Sequence, residues 1–284
     1  MIKCIATDMD GTLLNSQQKI SEENKQAILK AQAQGIEVVV ATGRSYQEAQ
    51  FVLKEAELHC PVIGVNGAEI RSKEGEVIST TPIDKPSARM AAEKLMEKDI
   101  YFEVYTDKGT FTTDFERAVS TLVDIIVSAN PEVDREKIIA AAEVRVSEGL
   151  VYEIEDYELL FTNPDHQIYK LLAFSEDSDR RHAAARSLEE LADLAISSSG
   201  FDNIEITHKQ AQKGIALEQF VKSRGIDLSE TMAIGDNYND VSMLERAGRA
   251  VAMGNAGFEI KSLCDVITDT NDENGVGKAI LEVL

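Results

Sequence analysis

The chain has 284 residues, enough for a sizeable core in one large or two medium domains. Its composition, 43% hydrophobic and 28% charged, is that of a globular protein with no long apolar run, which excludes a membrane span. A net charge of −21 argues against nucleic acid or an anionic membrane as the main partner.

In chain order, a strand over Ile2–Thr7 ends in Asp8-Met9-Asp10-Gly11-Thr12. Alternation along an extended chain sends Asp8 and Asp10 to one side. Two like charges side by side repel, and a hard divalent cation such as Mg²⁺ is the simplest group to offset them. Gly11 permits a sharp turn and Thr12 can satisfy nearby backbone groups. The stretch suits an aspartate nucleophile with a second aspartate as proton donor; taken alone it also reads as an Asp-rich turn. It lacks the spacing of an EF-hand loop.

A helix follows, with Ser21 as N-cap and Gly35 as its stop. The strand Ile36–Ala41 then leads into Thr42-Gly43-Arg44 and a helix through Tyr46–Ala56 capped by Ser45. Strand, tight turn and helix N-terminus together make an anion site, although by itself this is an ordinary strand-to-helix turn. A strand over Val62–Val65 and a hairpin of Ala68–Arg71 with Glu76–Ser79 complete the first part. Such alternation predicts a parallel sheet with helices on both faces.

From about Pro82 the pattern changes. A helix over Ser87–Lys98 precedes strands over Tyr101–Thr106 and Thr110–Thr113, then a longer helical region broken near Pro131. Strands over Ile168–Phe174, Ala195–Ser198 and Asn203–Thr207 follow, with a helix near Arg181–Leu191. This mixture predicts an inserted α+β domain over 84–206, between core segments 1–83 and 207–284. Residues Asp84–Glu205 hold 27 acidic and 13 basic side chains, a net of −14, so the insertion is the more acidic part.

Alternation resumes at Gln212-Lys213-Gly214, which opens an amphipathic helix. A Lys opposes the dipole there, which suits binding of a phosphoryl oxygen as well as it suits a solvated surface side chain. The strand Met232–Gly235 runs into Asp236-Asn237-Tyr238-Asn239-Asp240 and a short helix. Carboxylates at a strand end suit an octahedral Mg²⁺ site; an Asx-rich helix cap has the same appearance. Strands over Ala250–Ala252 and Val266–Ile267, a polar run Thr268–Asn274 that reads as a solvated loop, and a helix over Gly275–Leu284 close the chain. Cys4, Cys60 and Cys264 lack metal-type spacing and read as small core residues. With no room for a signal peptide before Asp8, a reducing, cytoplasmic setting is expected.

These segments, in this order, resemble the haloacid-dehalogenase-like (HAD) hydrolases, and the wider pattern resembles the Cof-type phosphatases of subclass IIB. Asp8–Leu14, Ala41–Arg44, Asn66-Gly67-Ala68, Lys213-Gly214, Gly235–Asp240 and Ala252–Ala256 stand where that family has its motifs. The resemblance implies an α/β fold: a doubly wound, Rossmann-like parallel-sheet core with an inserted α+β cap that closes over the site and selects the leaving group. It implies Mg²⁺-dependent hydrolysis of small phosphomonoesters through an aspartyl-phosphate, with Asp8 as nucleophile and Asp10 as acid and base.

By the same resemblance, Mg²⁺ is held by the Asp8 and Asp236 side chains and the Asp10 carbonyl, with Asp240 orienting that shell. Phosphate is held by Thr42, Gly43, Lys213, Asn239 and the Met9 backbone. Asn66 and Gly67 either face the substrate or form a plain turn; Arg44 either contacts substrate or pairs with an acidic neighbour. Lys170 matches a Lys common in the family, or makes a structural ion pair. The four histidines form no metal-like cluster, and His208 is the one with a chance of lying near the site. Relatives act on sugar phosphates, flavin mononucleotide, pyridoxal phosphate and ribityl phosphates, so a small phosphorylated metabolite is the expected partner. A phosphomutase of the phosphomannomutase type and a non-catalytic phospho-ligand-binding regulator stay open. The oligomeric state is left undetermined.

Overall fold

In a computed structural model the described residues are 1–120, 136, 139, 140, 143, 147–198 and 202–284. They form two compact units, Met1–Thr81 with Gln210–Leu284, and Pro82–Lys209.

The first unit begins with β1 (Cys4–Thr7), α1 (Glu22–Ala33), β2 (Glu37–Ala41), α2 (Tyr46–Glu55), β3 (Val62–Gly64), β4 (Glu69–Arg71) and β5 (Val77–Thr80). The expected caps are formed: Ser21 accepts from the Asn24 N–H, and Ser45 makes a reciprocal capping box with Glu48.

The second unit holds α3 (Lys85–Met96), β6 (Tyr101–Thr106), β7 (Gly109–Thr112), β8 (Val151–Glu153), α4 (Glu158–Thr162), β9 (Ile168–Phe174), α5 (Ser178–Leu188), β10 (Leu194–Ser197) and β11 (Asn203–His208). Its sheet runs β10-β11-β9-β6-β7-β8, antiparallel except for the β7–β8 pair. α3 starts at Lys85 rather than Ser87, because Asp84 caps it by accepting from the Ser87 N–H. α5 likewise starts at Ser178, capped by Asp177. Neither β8 nor α4 was expected. Three strand residues carry no readable period; β8 is held by its partner strand and by Tyr152 against Phe111, 5.4 Å between ring centroids. Residues 115–120 are helical, and the break expected near Pro131 lies outside the described residues.

The first unit resumes with α6 (Lys213–Ser223), β12 (Thr231–Gly235), α7 (Val241–Leu244), β13 (Arg249–Ala252), α8 (Phe258–Leu263), β14 (Val266–Ile267) and α9 (Gly275–Leu281). Its sheet has the order β14-β13-β12-β1-β2-β3-β4-β5. Pairing is parallel from β14 through β3 and antiparallel at β4 and β5. Strand alternation divides the apolar residues between two cores. Ile5, Val38, Val40 and Ile234 pack on one face with Ile28, Leu53 and Ile280; Cys4, Ala6, Val39 and Ala233 pack on the other with Leu217, Phe220 and Leu244. Burial pushes the Cys4 and Cys60 thiols up to about 12, which fits inert core residues. No helix among the described residues is long and apolar enough to cross a membrane.

The sheet places β2 and β3 on one side of β1 and β12, β13 and β14 on the other, so the strand order reverses between β1 and β12. That is the topological switch point at which open α/β sheets bind ligands. Asp8, Thr42 and Asp236 each follow the last residue of one of three neighbouring strands.

The start of α6 lies against the first turn of α7: the Gly214 N–H donates to Ser242 Oγ at 2.9 Å, and a Cβ on Gly214 would overlap the Ser242 carbonyl. Gly214→Ala should therefore destabilise the protein by roughly 1–3 kcal/mol, despite alanine's better helix propensity. Chemical denaturation checks this; a variant as stable as the parent would contradict the close packing.

Candidate active site

Lys213 is the first residue of α6 and is fully buried, so the solvated alternative is excluded. Its ammonium donates to Asp8 Oδ1 and to Asp240 Oδ1, at 2.6 Å each. Asp240 is also fully buried, and its Oδ2 accepts from the N–H groups of Asp236 and Asn237 at 3.0 and 3.1 Å. Both Asp240 oxygens are thus committed, one to Lys213 and one to the turn that carries Asp236.

Thr12 departs from expectation. Instead of serving nearby backbone, its hydroxyl donates to Asp236 Oδ1 at 2.7 Å. A Cβ on Gly11 would come within 2.5 Å of Asp236 Oδ2, so the absent side chain is what lets that carboxylate lie against the Asp8–Thr12 turn.

Asp10 points elsewhere. Its carboxylate is exposed and takes both Nε and Nη2 of Arg44, the former at 2.8 Å, and Gln18 Oε1 accepts from the same Nη2 at 2.7 Å. Of the two readings of Arg44, the structure has the acidic-neighbour pair.

Thr42 is fully buried; its Oγ1 accepts from the Arg44 N–H at 3.1 Å, which leaves the hydroxyl hydrogen to donate. The turn Val65–Gly67 is joined to this loop, with the Val65 N–H on the Arg44 carbonyl and the Asn66 N–H on the Thr42 carbonyl, both 2.9 Å. Its residues have φ of 50°, 55° and 100°. A β-branched valine in the left-handed region is a strained arrangement of the kind found beside functional sites. Asn66 Oδ1 lies beside Gly43 and accepts from Asn239 Nδ2 at 3.4 Å, and Asn239 Oδ1 is buried without a partner among the described residues. Lys213 thus gathers Asp8, Asp240 and the turn of Asp236, while Thr42, Gly43, Asn66 and Asn239 form a second group whose Asn239 directly precedes Asp240 in the chain. Met9 is buried in the core.

Lys170 and His208 belong to the second unit. Lys170 is buried, 3.5 Å from Glu205 and with Nζ 4.3 Å from the centre of the Tyr105 ring, so it makes the ion pair. His208 ends β11 opposite Leu194. The roles of Thr12, Gln18 and Ser242 were not read from sequence. A hydroxyl or amide gives no local signal when its partner lies far along the chain.

Among the described residues Asp8, Asp236 and Asp240 offer oxygens within 4.8 Å of one another. Two hard carboxylate donors, Asp8 and Asp236, with the committed Asp240 carboxylate beside them, fit a hard divalent cation. Asp8 holds its proton far above the usual carboxylate range, through burial and then the Asp240 charge. Burial pushes Asp236 up to about 6, against the opposing hydrogen bond from Thr12. Lys213 is disfavoured by burial, but the Asp240 and Asp8 charges outweigh that and hold its proton more tightly than usual.

A carboxyl with a raised folded-state value stabilises the fold below its unfolded value of 3.8, and that contribution is lost as pH rises through about 6 for Asp236. A divalent cation bound there would take the place of those protons. Added Mg²⁺ should therefore raise the melting temperature of metal-free protein more at pH 7.5 than at pH 5. Equal increases at the two pH values would contradict carboxylate ligation.

A family model described as haloacid dehalogenase-like hydrolase matches residues 5–280. The chain is 39% identical to phosphatase YwpJ of Bacillus subtilis, with all of both chains covered. It is 38% identical to 5-amino-6-(5-phospho-D-ribitylamino)uracil phosphatase YwtE of the same organism, covering all of this chain and 98% of that one. The solved structure of a haloacid dehalogenase-like hydrolase from B. subtilis superposes with a TM-score of 0.89 at 38% identity, covering both chains completely. The sheet order, the carboxylates at adjacent strand ends and these likenesses agree: the chain belongs to the haloacid dehalogenase-like hydrolases.

Proposed function

We propose that this chain is a Mg²⁺-dependent phosphatase that hydrolyses small-metabolite phosphomonoesters through an aspartyl-phosphate on Asp8. The observation that carries this reading is the Asp8 carboxylate at the end of a central strand, paired with the buried Lys213 ammonium at 2.6 Å.

Asp8 attacks phosphorus in line; its carboxylate oxygen bonds to phosphorus as the ester P–O bond breaks. Asp10 gives a proton to the departing oxygen, then takes one from the water that displaces Asp8 from phosphorus. For this, Asp10 exchanges its contact with Arg44 for one with the leaving oxygen. Thr42 Oγ1, the Gly43 N–H, Lys213, Asn239 and the Met9 backbone hold the phosphoryl oxygens. Asp8, Asp236 and the Asp10 carbonyl are the groups that would hold Mg²⁺, with Asp240 fixing the turn that carries Asp236. When bound, the cation neutralises charge on the phosphoryl oxygens and on the carboxylates around it. Asn66 supports Asn239, and Gly67 shapes the turn that presents Asn66.

Asp8→Asn should abolish turnover while the metal-free variant melts at or above the parental temperature, because a buried like charge is removed. Chelation should stop the parent enzyme, and Mg²⁺ should restore it. Clear turnover by a homogeneous Asp8→Asn preparation, or undiminished activity in chelator, would overturn the assignment.

The second unit supplies specificity in this reading. The sheet side opposite its apolar core carries Tyr101, Glu103, Tyr105, Thr110, Thr112, Lys170, Glu205 and Thr207, all buried. The carboxylates outnumber the ammonium. Such a set hydrogen-bonds hydroxyls and disfavours further negative charge, which supports monophosphates with neutral polyol, sugar or ring leaving groups. A 38%-identical relative named for a ribitylamino phosphate supports the same class. Comparing kcat/KM for matched sugar mono- and bisphosphates at low and high salt should favour the monophosphate at both. Preference for the bisphosphate at both would reject this and support phosphomutase chemistry.

A further inference from the structure

The turn that carries Asp10 is held by three asparagine side chains that no catalytic role explains. Three of the four carbonyls from Gly11 to Leu14 are taken. Asn255 Nδ2 donates to Gly11 O at 2.8 Å, Asn24 Nδ2 to Leu13 O at 3.4 Å, and Asn271 Nδ2 to Leu14 O at 2.9 Å. Two of the three are tied to each other, since the Asn271 N–H donates to Asn255 Oδ1 at 3.1 Å. The third is tied to α9, where the Gly277 N–H donates to Asn24 Oδ1 at 2.8 Å. The Ser16 N–H reaches Asp272 Oδ1 at 2.8 Å beyond the turn.

The run Thr268–Asn274, read from sequence as a solvated loop, is thus a bracket for the turn. Its polarity has partners: Thr268 Oγ1 donates to Gly275 O at 2.8 Å, and the Gly254 N–H beside Asn255 donates to Asp269 O at 3.0 Å.

We infer that Asn255 is a positioning residue for Asp10. Its amide holds the carbonyl of the residue immediately after Asp10, and that carbonyl sits at the left-handed Gly11, with φ of 76°. A backbone with few steric limits at that point has many orientations open to it. The Asn255 bond selects one, and with it the direction in which the preceding Asp10 side chain leaves the chain. Asn255 itself is exposed, so little packing depends on it. The inference rests on the acid–base role of Asp10 in the proposed mechanism.

The test uses an aliphatic sugar phosphate that the parent enzyme hydrolyses, whose leaving oxygen needs a proton, and p-nitrophenyl phosphate, whose leaving group needs none. Asp10→Ala serves as the reference. Asn255→Ala should lower kcat for the sugar phosphate roughly 10²-fold, the scale of an ångström-level misplacement, and lower it much less for p-nitrophenyl phosphate. KM and melting temperature should stay near the parental values. Asn255→Asp, which keeps an acceptor for the Asn271 N–H but has no donor for Gly11 O, should behave like Asn255→Ala. On the Asp10→Ala background neither change should cost anything further. Equal losses on both esters, or losses that multiply with that of Asp10→Ala, would overturn the inference while leaving the mechanism standing. If Asp10→Ala itself shows no difference between the esters, the acid–base role falls and the inference with it.

Discussion

A single ammonium, that of Lys213, sits between two buried carboxylates, and the rest of the site is arranged around it. Removing Lys213 would leave two buried carboxylates without a counter-charge, a loss of about 3–5 kcal/mol in comparable cases. Here one cation meets three clustered acids, so the balance is still negative. The surplus makes the Asp8–Asp236 region receptive to a divalent cation. Asp240 turns the same interaction into geometry, holding Lys213 with one oxygen and the turn after β12 with the other. Through it the ends of β1 and β12 and the start of α6 are joined at one point.

The features that could be read from sequence are those whose chemistry is local. Ser21 and Ser45 cap the helices that follow them, and the apolar strands end at Asp8, Thr42 and Asp236 as their patterns predict. The burial of Lys213 could not be read that way, because its partners lie 205 and 27 positions away. The same holds for Thr12, whose partner is 224 positions distant, and for Asn271 with Leu14, at 257. A polar run such as Thr268–Asn274 looks alike whether water or a distant carbonyl satisfies it. β8 was invisible for another reason, being three residues long with two of them exposed.

The two units use charge differently. Around Lys213 in the first unit, the charges are few, buried and paired at hydrogen-bond distance, where they act strongly. The acidic excess of 84–205 is spread over many side chains, most of it screened within about 8–10 Å at physiological salt. Among the described residues, the buried subset on the sheet, Glu103, Lys170 and Glu205, has the low-dielectric setting in which charge acts most strongly. Substrate choice in the proposed mechanism therefore rests on a handful of residues, not on the net charge of the chain.

The stereochemical course at phosphorus tests the aspartyl-phosphate most directly. Hydrolysis in isotopically labelled water of a substrate made chiral at phosphorus with oxygen isotopes and sulfur gives a product whose configuration can be read. Attack by Asp8 followed by attack of water makes two in-line displacements, each inverting the centre, and predicts net retention. Net inversion would mean a single displacement by water, and would contradict Asp8 as the nucleophile.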